Sequence, residues 1–72
     1  MATSAAVKFY LNGELREIPD RTDLTQMIRL FSLPDKRVAI ELNGEVIRRA
    51  QWAFTFVVQD DKVEVVHFVG GG

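Results

Sequence analysis

The chain contains no cysteine. Disulfides and thiolate metal sites are therefore excluded, and the absence suits a reducing compartment. Histidine occurs once, at His67. A lone imidazole with no carboxylate at ligand spacing does not make a metal centre, so no bound metal is expected. No apolar stretch approaches the ~20 residues that a membrane span needs. No basic run exceeds a pair such as Arg48-Arg49, and the formal net charge is −1. Neither a membrane nor a nucleic acid is an expected partner. The opening "MATSA" has neither the charged nor the apolar region of a signal peptide. Residues 1–6 read as a frayed start, and the expected location is cytoplasmic.

What is present is enough for one small domain over residues 1–72. Hydrophobic residues make up 47% of the chain, a globular proportion. A domain of this length buries only about 60% of the surface that its unfolded chain exposes, so its stability is marginal. Val7, Phe9 and Leu11 alternate with Lys8, Tyr10 and Asn12, the period of a half-buried strand. Asn12-Gly13 follows, a dipeptide that tolerates the positive φ of a tight hairpin. "ELREI" (Glu14 to Ile18) returns antiparallel. Leu15 and Ile18 break its alternation, so it is either bulged or an edge strand, and Pro19 ends it.

Leu24, Met27, Ile28 and Phe31 then fall at i, i+3, i+4 and i+7, one face of a helix. Thr22 or Asp23 caps its start, and Asp23 with Gln26 has capping-box spacing. The helix is expected over Asp23 to Phe31, ending near Ser32 because Pro34 follows. Val38 to Leu42 alternates as a strand into Asn43-Gly44, a second tight turn. Val46-Ile47 is a very short strand, Arg49 to Ala53 one helical turn, and Asp60-Asp61 a turn. Lys62 to Val69 is the last strand. The first and last strands are the most apolar, so both belong in the sheet centre as parallel neighbours. The helix-containing segment is then the crossover. That order is α+β, a β-grasp: a mixed sheet of four to five strands with one main helix on one face. The expected core is Val7, Phe9, Leu11, Leu24, Ile28, Phe31, Val38, Ile40, Leu42, Val63 and Val65.

A search for chemistry yields little. Ser4 and Ser32 have no adjacent base for nucleophilic catalysis. Asp60-Asp61 is a carboxylate pair that serves a turn. Gly70, Gly71 and Gly72 close the chain, with no following helix N-terminus to make a phosphate cradle. Glycines can, however, thread a channel too narrow for any side chain. The strand that feeds them is apolar to its last residue.

"VAIELNGEVIRRAQW" and "DDKVEVVHFVGGG" resemble the ThiS family of ubiquitin-like sulfur carriers, from Val7 to Gly72. The specific parts are the turn at Asn43 to Val46, the Arg49-x-x-Trp52 spacing and the terminal Gly71-Gly72. The departures are Arg48 where the family often has proline, Asp60 where a glycine often precedes the aspartate, and a longer N-terminus. The resemblance implies a non-catalytic carrier with no bound cofactor. An E1-like activating enzyme of ThiF type, using ATP and Mg, adenylates the Gly72 carboxylate. A sulfur donor such as a cysteine desulfurase or rhodanese then yields a thiocarboxylate, which a thiazole synthase of ThiG type consumes in thiamine biosynthesis. Gly70 and Gly71 thread into partner active sites. The alternatives are a MoaD-like carrier for molybdopterin synthesis and a β-grasp interaction module with an inert tail.

Two further expectations concern the body of the domain. Trp52 packs over the sheet edge, with Arg49 bracing nearby carbonyls, in a structural role. If Val63 and Val65 point inward, alternation turns Val66 and Phe68 outward beside the tail as a partner interface.

Overall fold

The computed structural model describes residues 5–68. Its elements are β1 (Ala6–Leu11), β2 (Glu14–Pro19), α1 (Leu24–Leu30), β3 (Val38–Leu42), β4 (Glu45–Ile47), a 3-10 segment (Arg49–Phe54) and β5 (Lys62–His67). The strands form one sheet in the order β2-β1-β5-β3-β4. β1 and β5 pair in parallel, and every other pair is antiparallel. This is the β-grasp topology expected from the pattern. Ala5 and Ala6, expected in the frayed start, are held: the Asp20 N–H donates to the Ala5 carbonyl at 2.9 Å, and Ala6 begins β1. Val69, expected to end the last strand, lies outside the described residues.

Local chemistry sets each boundary. Asn12 and Gly13 have φ of 51° and 83°, and Asn43 and Gly44 have φ of 52° and 87°. Those left-handed pairs match the right-handed twist of the strands they join. β2 is an edge strand without a bulge, since its register runs unbroken from Leu11↔Glu14 to Ala6↔Pro19. Of its residues only Ile18 is buried, which explains the broken alternation. Asp23 caps α1. Its Oδ1 accepts from the Gln26 N–H at 2.8 Å, and the Gln26 Oε1 accepts from the Asp23 N–H at 3.2 Å. At the other end, Ser32 takes φ 53°. The Ser32 N–H donates to the Arg29 carbonyl, and the Leu33 N–H to that of Ile28. This is a Schellman ending, with Ser32 where glycine is usual, and it stops the helix before Pro34.

The core lies between α1 and the inner face of the sheet. Phe9, Leu24, Met27, Ile40, Val57 and Val63 are its largest fully buried side chains. Three residues expected there, Phe31, Leu42 and Val65, are only half-buried against it. Phe31 stands at the helix C-cap, where the apolar stripe reaches the domain surface. Its ring meets Phe9 at 6.1 Å and carries the Arg16 guanidinium at 5.6 Å. Ile18, Trp52 and Val57 complete the core instead. Val57 is recruited because the irregular segment runs beside the helix start. The Val57 N–H donates to the Thr22 carbonyl and the Leu24 N–H to that of Thr55.

Among the described residues Asp61 is the buried carboxylate. It accepts from the Asn43 amide at 2.9 Å and from the Val58 N–H at 2.8 Å. Asn43 in turn accepts from the Lys62 N–H at 2.9 Å. The two loops at that end of the sheet are thereby tied together.

Truncating a fully packed side chain costs transfer energy plus a cavity. Ile28→Ala should lower stability by about 2–5 kcal/mol, a large part of what a small domain has. Phe31→Ala, at a half-buried site, should cost less than Ile28→Ala in urea unfolding. The reverse order would contradict this packing.

Candidate functional site at the end of the last strand

β5 is the last strand in sequence and the middle strand in space. It is hydrogen-bonded on both sides, to β1 and to β3. Its alternation works as expected: Val63 is buried and Val65 half-buried, while Val66 and Phe68 are 44% and 48% exposed. Val66 stands opposite Ala39. Val66 and Phe68 thus put apolar surface on the sheet face away from the helix, at the end where the chain leaves the sheet. His67 is exposed and stands opposite Val38. Gly70, Gly71 and Gly72 lie outside the described residues.

Pairing is carried close to that exit by groups beyond the regular ladder. β1 ends at Leu11, whose partner is Val63, so β5 overruns it. Asn12 bridges the difference. The Asn12 N–H donates to the Val63 carbonyl at 2.9 Å, and the Asn12 Oδ1 accepts from the Val65 N–H at 2.9 Å. On the other side the Phe68 N–H donates to the Arg37 carbonyl at 2.9 Å. Backbone groups that would otherwise face water are satisfied, and the chain keeps hydrogen-bond partners up to Phe68.

Trp52 supports the flank. It is 4% exposed and belongs to the core rather than to the sheet edge. Its Nε1–H donates to the Ile47 carbonyl at 3.0 Å. The Arg49 guanidinium lies 4.3 Å from its ring centroid and donates to the Asp35 carbonyl. Arg49 therefore does brace a carbonyl, as the spacing suggested, and it ties the loop before β3 to the 3-10 segment.

Two supporting residues escaped sequence reasoning. Asn12 reads as a turn former, and nothing in the sequence says that its side chain continues a ladder. Asp61 reads as a turn carboxylate; that Asp60 takes φ 69° and that Asp61 is buried are visible only in the structure. Among the described residues no group of three or more His, Cys, Asp or Glu is placed to hold a metal, and no helix is long and apolar enough to cross a membrane.

The ThiS family model matches residues 9–72. A thiazole synthase of Magnetococcus marinus is 35% identical over 66 residues, which are 92% of this chain but 20% of the synthase. This chain therefore spans about a fifth of that relative's length. The sulfur carrier protein ThiS of Bacillus subtilis is 32% identical over 63 residues, covering 86% of this chain and 96% of that protein. The crystal structure of the thiamine biosynthesis protein ThiS from Geobacter metallireducens superposes with a TM-score of 0.82 at 29% identity. The superposition covers 92% of this chain and 100% of that one.

Asn12→Gly keeps the turn conformation and removes the side-chain acceptor. A lost hydrogen bond is worth about 1 kcal/mol net, so amide exchange at Val65 should speed up by about fivefold. Exchange at Ile40, measured by NMR in the same sample, should change less. Unchanged Val65 exchange would remove Asn12 from the support of β5.

Proposed function

Because this chain belongs to the ThiS family, we propose that it is a sulfur carrier whose working group is the carboxylate of Gly72. A free carboxylate is ionised at neutral pH, and its charge and resonance make it a poor electrophile. An activating enzyme of ThiF type, with ATP and Mg, overcomes this. A carboxylate oxygen attacks the α-phosphorus, pyrophosphate leaves, and the acyl-adenylate has a good leaving group. The terminal sulfur of a persulfide carried by a cysteine desulfurase or rhodanese then displaces AMP to give an acyl disulfide, and a second thiol cleaves its S–S bond, leaving with the donor cysteine as a disulfide. The product is a thiocarboxylate, whose soft sulfur a synthase of ThiG type incorporates into the thiazole of thiamine. The carrier acts as a co-substrate and supplies no catalytic side chain. A cytoplasmic location keeps it with ATP and its donor.

The observation that carries this reading is the central, doubly paired β5 leading to Gly70, Gly71 and Gly72. A strand fixed in the sheet gives the terminal glycines a defined point of departure. Glycines suit a channel that closes on the backbone. A thiazole synthase that includes a stretch similar to this chain supports a thiazole synthase as the consuming partner, over the molybdopterin pathway. The exposed pair Val66 and Phe68 supports a docking surface beside the tail.

Two experiments test the proposal. After reaction with the activating enzyme, ATP and a sulfur donor, the chain should gain the mass difference between sulfur and oxygen, localised to its C-terminal fragment. A chain lacking Gly72 should keep its melting temperature and show no gain. No gain in the full chain, or an equal gain in the truncated one, would leave an interaction module with an inert tail. Phe68→Asp should weaken association with both the activating enzyme and the synthase while the fold survives. Unchanged affinity for both would remove the apolar pair from the interface.

A further inference from the structure

The sequence has no long basic run, yet the sheet register assembles a basic end. β3 and β4 are antiparallel, with Ile40 opposite Ile47. The start of β3 and the end of β4 therefore lie at the same end of the sheet. Lys36-Arg37 precede β3 and Arg48-Arg49 follow β4. β5 finishes at that end too, since Val38 faces His67 and the Phe68 N–H meets the Arg37 carbonyl. Four of the nine basic residues are gathered there, with Asp35 the acid beside them.

The charge reverses along the strands. Glu41 stands opposite Glu64, and Leu42 opposite Glu45. Exposed Asp60 and buried Asp61 precede the start of β5, and Lys62, its first residue, is the cation beside these carboxylates. The domain is thus basic where the tail departs and acidic toward the other end, while its net charge stays at −1. Lys36, Arg37, Arg48 and Arg49 are all exposed. The ion pair among the described residues, Arg16 with Glu14, involves none of them. Arg49 is occupied with Trp52 and the Asp35 carbonyl, which leaves Lys36, Arg37 and Arg48. Arg48 is extended, with φ −62° and ψ 145°. Strand alternation from Val46 therefore puts it on the open sheet face that carries Val66 and Phe68.

We propose that this basic end, flanking Val66 and Phe68, docks on a protein surface with an apolar centre and a rim of carboxylates around the opening that receives the tail. The inference deepens the sulfur-carrier reading and rests on it for the partner's identity. Like charges gathered on one side repel, and carboxylates opposite them turn that repulsion into attraction. The reversal along the strands adds orientation. An acidic opening attracts the tail end and repels the far end, so the carrier approaches tail first. The adjoining apolar pair favours a protein over a nucleic acid, which a net acidic chain would approach against repulsion.

The test is binding of the full chain to the adenylating enzyme of the same organism, without ATP or sulfur donor, so that no chemistry contributes. Association rates are measured at about 0.05 M and about 0.5 M NaCl, which moves the screening length from beyond 10 Å to a few ångströms. The double variant Lys36→Glu/Arg48→Glu should associate about tenfold or more slowly at low salt and converge on the wild type at high salt. Lys36→Gln/Arg48→Gln should fall between. Lys62→Glu, a reversal at the other end, should be slowed far less than the double variant. Equal melting temperatures exclude misfolding as the cause. Association of the double variant at the wild-type rate, an equal slowing by Lys62→Glu, or no wild-type binding at low salt would each overturn the proposal. The mass-shift experiment is read separately. A chain that gains sulfur but binds without these charges defeats this inference alone. Salt-dependent docking without a gain in mass defeats the carrier chemistry alone.

Discussion

The structure depends on the placement of β5. A sheet whose last strand in sequence is its middle strand in space cannot be completed until the whole chain is present. Val63, one of the six largest fully buried side chains, sits on that strand and meets both neighbours. The parallel pairing with β1 requires the chain between them to cross over, and α1 with its flanking loops makes that crossing. Apolar burial, hydrogen bonding and topology thus converge on the segment that leads into the tail. A terminus leaving an edge strand would fray with it. One leaving this strand starts from backbone that is paired on both sides, through Asn12 on one and Arg37 on the other.

A chain this short with no disulfide has little stability to spare, and its polar groups are correspondingly well used. Among the described residues no buried side-chain nitrogen or oxygen lacks a partner. Asp61 satisfies a backbone N–H and the Asn43 amide together, and Arg49 stacks on Trp52 while reaching a carbonyl of the loop before β3. These contacts fix loops that have too few apolar residues to fix themselves. The result is a body whose loops are tied to its sheet and which, in the proposed reading, presents the carboxylate of Gly72 to its partners.

Much of this was legible in the sequence, for physical reasons. Periodicities of two and 3.6 separate strand from helix, and Asn-Gly marked both hairpins. The capping box at Asp23 and Gln26 formed as its spacing suggested. The alternation of β5 turned Val66 and Phe68 outward. What was not legible depends on three dimensions. Val57 and Trp52 lie in irregular backbone, where no period identifies an inward face. Phe31 has helical spacing, but the helix ends there, so its ring lies half in solvent. The side-chain acceptor of Asn12 matters only because β5 outruns β1, a matter of register. The basic end was hidden in the same way. Its pairs are separated in sequence and are brought together by the antiparallel return of β4.

The central claim is that the chemistry resides in the terminal carboxylate and that the folded body only presents it. ATP–pyrophosphate exchange by the activating enzyme tests this most directly, because exchange reports reversible formation of the acyl-adenylate before any sulfur is involved. Labelled pyrophosphate should enter ATP when the intact chain is supplied, and should fail to do so when the carboxylate of Gly72 is blocked as an amide. Exchange that is absent with the intact chain, or that persists with the amide, would contradict the account.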